Sequence, residues 1–181
     1  MDAGAAGEGR ELPVNCQELQ RAPRDDLKAA VRDQRKAVMA MLAADLYRRR
    51  GESVIAPYVQ RSIESWKPEP KQCHRNVDIW VAGAPGSRAV RGWMLFDVAE
   101  ASLGLLNYVL FEAHSVVEEN GPLVDIAPSS ASRRYPFIRH PGDDQDFKKL
   151  VEHVGISTIQ FKCRPEVRAR VARNFAMVRG H

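Results

Sequence analysis

Apolar positions follow helical spacing early in the chain and strand spacing later. From Asp25 to Arg50, the positions Leu27, Ala30, Val31, Gln34, Val38, Met41 and Leu42 recur every three or four residues. They form one apolar face with a single polar interruption. Asp25 and Asp26 suit the positive start of this helix, and Arg48-Arg49-Arg50 before Gly51 suit its negative end. A second helix is expected after Ser53, with Pro57 in its first turn and Val54, Ile55, Tyr58, Val59, Ile63 and Trp66 as its stripe. Lys67-Pro68-Glu69-Pro70 then forces an extended linker. Helical spacing returns at Cys73, Val77, Trp80 and Val81 and stops near Ala82-Gly83-Ala84-Pro85-Gly86.

Beyond Gly86 the pattern becomes strand-like. Ser87 to Phe96 is a largely apolar run, somewhat weakened as a strand by Gly92. Asp97 to Leu106 is ambiguous and could hold a short helix. Asn107 to Glu119 reads as a strand, Asn120-Gly121 as a tight hairpin turn, and Leu123 to Ile126 as the returning strand, stopped by Pro128. A short strand at Tyr135 to Arg139 is expected at a sheet edge because of Pro136. Phe147 to Val154 suggests a short helix, Thr158 to Cys163 a last strand, and Glu166 to Val178 a basic helix opened by Pro165. The fold class is therefore α+β, with N-terminal helices and a cysteine-bearing helix packed on an antiparallel β-sheet. Residues 1–23 read as a mobile, Gly-rich tail, and residues 24–181 as a single domain with its core at 70–163.

Composition changes this picture little. A chain of 181 residues can bury a core without covalent staples. The formal net charge of +4 permits an acidic partner without requiring one. Three cysteines, Cys16, Cys73 and Cys163, form no local pairing pattern, which points to a reducing compartment. No apolar run reaches transmembrane length, and the first ten residues lack a basic region followed by an apolar core. The expected location is cytoplasmic, with no membrane partner.

Three residues in the middle of the chain carry candidate chemistry. Cys73 opens a helix, where the positive end of the dipole lowers a thiol's pKa and free backbone N–H groups can face an oxyanion. His114 interrupts an apolar strand and Asp125 follows across the hairpin. A two-residue turn pairs Glu119 with Pro122, Val116 with Asp125 and His114 with Ala127. His114 and Asp125 then share a face as diagonal neighbours. A slip of one residue would separate them.

Cys73, then Ala89-Val90-Arg91-Gly92-Trp93, then His114-Ser115-Val116-Val117-Glu118, then Gly121-Pro122-Leu123-Val124-Asp125-Ile126-Ala127-Pro128, resembles the transglutaminase-like branch of the papain-like cysteine protease superfamily. The resemblance covers about residues 70–128. It implies a papain-like core in which Cys73 is the nucleophile, His114 the general base and acid, and Asp125 the residue that orients the histidine. Gln72-Cys73 is similar to the Gln-Cys pair of some members, which implies an oxyanion or positioning role for Gln72. Members usually carry an aromatic residue soon after the histidine and an aromatic or acidic one after the cysteine. This chain has Ser115-Val116 and His74 there. The implied activity is hydrolysis, deamidation or acyl transfer at an amide bond of a peptide, protein or other amide substrate, with no cofactor.

Other readings compete. Cys73, His74, His114, His140 and Cys163 could supply a zinc site, though no CxxC or HxxxH spacing is present. Ala84-Pro85-Gly86-Ser87-Arg88 reads as a helix-to-strand turn and not as a phosphate loop. The Arg48-Arg49-Arg50 triplet, Arg133-Arg134 and the basic C-terminal helix read first as solvated faces. Read second, the C-terminal face makes the chain a non-catalytic binding module for an acidic protein or nucleic acid.

Overall fold

The computed structural model of this protein describes residues 24–64, 66–102, 106–128 and 135–163. The expected mobile tail, the Arg133-Arg134 pair and the basic C-terminal helix lie outside them. The chain divides into two units, residues 1–36 and 37–181. Helix α1, Arg24–Arg48, begins in the first and ends in the second. Its apolar face is not buried as the spacing predicts. Leu27, Val31, Val38 and Met41 are exposed, and only Ala43 and Leu46 are fully buried. Helical periodicity shows where a face could pack, and here only the last turns of α1 meet a core. The three arginines at its end act locally. Arg49 pairs with Asp45 and Glu52, and Arg50 donates to the Tyr47 carbonyl, an acceptor left over at the helix terminus.

The described strands form one antiparallel sheet. Its members are β1 (Val54–Ile55), β2 (Ser87–Asp97), β3 (Tyr108–Glu119), β4 (Leu123–Val124), β5 (Pro136–Arg139) and β6 (Thr158–Lys162). Their order is β1-β5-β2-β3-β4, with β6 pairing the other end of β3. Strand β2 pairs with β3 along its whole length, from Ser87–Glu119 to Asp97–Val109. The hairpin register is the expected one: Val117 faces Val124, Glu118 faces Leu123, and the Glu119 N–H donates to the Pro122 carbonyl. Asn120 and Gly121 both take positive φ, 54° and 108°, as a two-residue turn between twisted strands requires.

Helix α2, Cys73–Gly83, lies along β3 and runs in the same sense. His74 meets Ser115, Val77 packs with Val117, Val124 and Ile126, and the Trp80 indole N–H donates to Glu119 at 3.1 Å. This apolar stripe was legible in the sequence, and it fixes the direction of the helix over the strand. A larger core gathers Leu46, Trp93, Phe111, Ile138, Phe147, Ile156 and Ile159. Phe147 comes from α4, Asp144–Lys148, whose start is capped by Asp143 accepting from the Asp146 N–H at 2.8 Å. A π-helical turn, Lys149–His153, continues α4. The ambiguous stretch after β2 contains a single helical turn, α3, Val98–Ala101.

Two local expectations are overturned. Among the described residues, 53–64 and Trp66 are not helical. After β1, Tyr58 forms a parallel bridge to Asp125, and Ile63 and Trp66 bridge one another. Val54, Ile55, Tyr58 and Val59 favour extended structure, and available strand partners outweigh their helical spacing. Nor is β5 an edge strand, because it lies between β1 and β2. Its β2 ladder covers only Phe137 to Arg139, so Pro136, with no N–H to give, sits just outside that ladder.

Candidate active site

Strand β3 is paired with β2 from Val109 to Glu119 on one side, and its pairing on the other side is interrupted. There β6 covers Tyr108 to Glu112 and β4 covers Val117 and Glu118. The Ala113 N–H goes to the Ser157 carbonyl. Among the described residues, His114 to Val116 have no strand partner on that side. Neighbouring strand residues point to opposite faces, yet His114 and Ser115 both meet the start of α2.

His114 and Asp125 are 5% and 3% exposed, and the imidazole Nε2–H donates to Asp125 Oδ2 at 2.7 Å. The second carboxylate oxygen accepts from the Ala127 N–H at 2.8 Å. The backbone of Asp125 is held as firmly: its N–H donates to the Pro57 carbonyl at 2.9 Å, and its carbonyl accepts from Val59 N–H at 2.8 Å. The stretch expected as a second helix is thus the clamp on the aspartate. With Nε2 committed to Asp125, Nδ1 is the nitrogen His114 can offer to Cys73.

Burial pushes the Cys73 thiol upward, but hydrogen bonding to His114 and His74 outweighs it and brings the thiol from 9.0 down to about 6. Burial pushes His114 down, and its bonds to Asp125 and Cys73 outweigh that and raise it from 6.5 to about 10. Near neutral pH the pair is a thiolate beside an imidazolium. The structure therefore brings Cys73, His114 and Asp125 together. Gln72 stands at the N-cap of α2 with its side chain exposed and making no capping hydrogen bond. The first N–H groups of the helix are left without side-chain caps beside the thiol.

The five zinc candidates do not all meet here. His140 accepts from the Trp93 indole at 3.2 Å and packs on Phe147, and Cys163 hydrogen-bonds Tyr47. Among the described residues no group of three or more His, Cys, Asp and Glu side chains is placed to hold a metal ion. No described helix is long and apolar enough to cross a membrane.

Sequence reasoning gave no role to Asn76, Arg91 or Ser115. Asn76 is 1% exposed; its amide oxygen accepts from the Glu69 N–H at 3.0 Å and its Nδ2 donates to the Glu69 carbonyl at 2.8 Å. It ties the proline linker to the helix one turn after Cys73. Asn76→Ala strands both backbone groups of Glu69 and is expected to cost about 1–3 kcal/mol in urea unfolding, with faster proteolysis within 67–72. Arg91 is 4% exposed. Its guanidinium bonds Ser115 Oγ at 2.7 Å and pairs with Asp78. A charge within the apolar run Ala89 to Leu95 was the available signal, because a buried arginine needs partners. No protein-family model, curated protein or solved structure matches this chain.

Proposed function

We propose that this protein is a cysteine-dependent amide-bond enzyme on a transglutaminase-like core of the papain-like superfamily. The observation that carries the reading is the buried His114, bonded to Asp125 through one ring nitrogen and coupled to Cys73 through the other. The order of elements supports the resemblance: cysteine helix, central strand, histidine strand, then an aspartate just beyond the returning strand.

In the reaction, the Cys73 thiolate attacks the amide carbon. A C–S bond forms and the carbonyl π pair moves to oxygen, near the uncapped N–H groups of α2. Collapse of this intermediate breaks the C–N bond, and the departing amine takes its proton from Nδ1 of His114. Water or a second amine then attacks the thioester, giving its proton back to Nδ1. The C–S bond breaks and the thiolate returns. Asp125 holds the ring in place and stabilises its charge throughout. Hydrolysis, deamidation and acyl transfer differ only in the amide presented and the second nucleophile.

The test combines a substrate screen with a pH profile. Glutamine-containing peptides, with and without a primary amine, should show mass changes that Cys73→Ala abolishes. Alkylation of Cys73 by iodoacetamide should rise with a midpoint near pH 6. An ordinary thiol midpoint would refute the activated nucleophile. Stability should follow the same pair. The depressed Cys73 pKa contributes stability above its ordinary value of 9.0, which is lost as pH falls through about 6. The raised His114 pKa contributes below 6.5, and its share is lost as pH rises through about 10. Thermal melts should show a Tm plateau from about pH 6.5 to about pH 9, and Cys73→Ala should remove the acid shoulder while the loss from His114, still paired with Asp125, sets in from about pH 6.5.

A further inference from the structure

Hydrogen bonding to His74, the next residue in the chain, also lowers the Cys73 thiol, and the proton of His74 is placed by groups that take no part in the Cys73, His114 and Asp125 arrangement. Arg91 can only donate hydrogen bonds, and its Nη1 donates to Ser115 Oγ at 2.7 Å. Ser115 is 0% exposed, so its own hydroxyl hydrogen needs an acceptor inside the protein. The side-chain acceptor within reach, among the described residues, is His74 Nδ1 at 2.6 Å. Ser115 therefore donates to Nδ1, and the ring proton of His74 sits on Nε2. Asp78 pairs with the far side of Arg91. The edge of Phe147 meets the His74 ring at 5.4 Å and 71°, which fixes the plane of the imidazole.

We propose that His74 is a second catalytic imidazole, a fixed Nε2–H donor to the Cys73 sulfur whose tautomer is set by Arg91 through Ser115. The inference rests on Cys73 being the nucleophile. The two imidazoles divide the work. His114 has a carboxylate behind it and moves the proton. His74 has a hydroxyl donor behind it, so it holds negative charge on sulfur without moving a proton. No bond is made or broken at His74.

The experiment uses the full chain and Cys73 alkylation against pH, which needs no substrate. His74→Ala should raise the midpoint by about one pH unit, a roughly tenfold stronger hold on the thiol proton. His74→Gln, which keeps an N–H donor, should recover at least half of that shift. The double variant with His114→Ala should pass above the ordinary thiol value, because burial then acts unopposed. If His114→Ala moves the midpoint and a folded His74→Ala does not, the present proposal fails while the triad reading stands. If only His74→Ala moves it, the triad reading fails and His74 keeps its role. If neither does, both fall. Long-range proton–nitrogen NMR on the unaltered protein supplies a readout independent of the variants. His74 should be protonated at Nε2, with Nδ1 as acceptor, and Ser115→Ala should let a Nδ1–H form appear. Finding Nδ1–H in the unaltered protein would overturn the assignment.

Discussion

Gly92→Ala should cost more than about 3 kcal/mol of stability. Gly92 lies in the middle of β2, opposite His114 on one side and Arg139 on the other. A Cβ at this position would collide with the Ile138 carbonyl oxygen and lie 2.5 Å from Cζ of Phe137. The carbonyl belongs to the paired backbone of β5 and cannot swing aside as a side-chain tip could. Phe137 is 2% exposed and packs with Val90 and Val116, so its ring has no free space to enter. Relief requires β5 to move away from β2, which opens the ladder at Trp93–Ile138 and loosens the strand pair beside His114. The measurement is urea unfolding of Gly92→Ala against Gly121→Ala. Gly121 has open space around its Cβ position and only a positive φ of 108° to oppose the change, so its penalty should be about 1 kcal/mol. Similar losses at the two sites would show that close approach is not what requires glycine at position 92.

His114→Ala should slow alkylation of Cys73 about 100-fold at pH 7. With its thiol at about 6, Cys73 is mostly thiolate at that pH. Removing His114 takes away the strongest hydrogen-bond partner of the thiolate and leaves burial opposed only by His74. The thiol should return to near its ordinary 9.0, where about one molecule in a hundred is ionised at pH 7. The variant also leaves the Asp125 carboxylate buried at 3% exposure with only the Ala127 N–H to hold it. A loss of thermal stability is therefore expected alongside the loss of reactivity. Cys163, bonded to Tyr47 and away from both histidines, is the internal control, and its labelling should not change. Equal slowing at both cysteines would mean general unfolding and would remove the case for a specific pair.

The sequence carried the parts of this architecture that depend on neighbours in the chain. The Asn120-Gly121 turn set the β3–β4 register, because two adjacent residues with positive φ leave few ways to reverse a strand. That register put His114 and Asp125 on one face. The spacing Cys73, Val77, Trp80 and Val81 marked α2 and the stripe by which it lies on β3. What the sequence could not carry was which segment supplies a missing partner. Val54 to Trp66 have helical spacing, yet Val54–Ile55 is a strand and Tyr58 bridges Asp125, whose carbonyl and N–H Val59 and Pro57 satisfy. Leu27, Val31 and Met41 have the spacing of a packed face but are exposed. Asn76, Ser115 and Arg91 looked like ordinary polar residues until burial made each of their hydrogen bonds obligatory. Local chemistry therefore determined helix α2, the Asn120-Gly121 turn and the face that His114 and Asp125 share. Tertiary structure alone decided the contacts of Cys73 with His114 and of His114 with Asp125, which outweigh burial in shifting both groups, because those contacts join groups far apart in the chain.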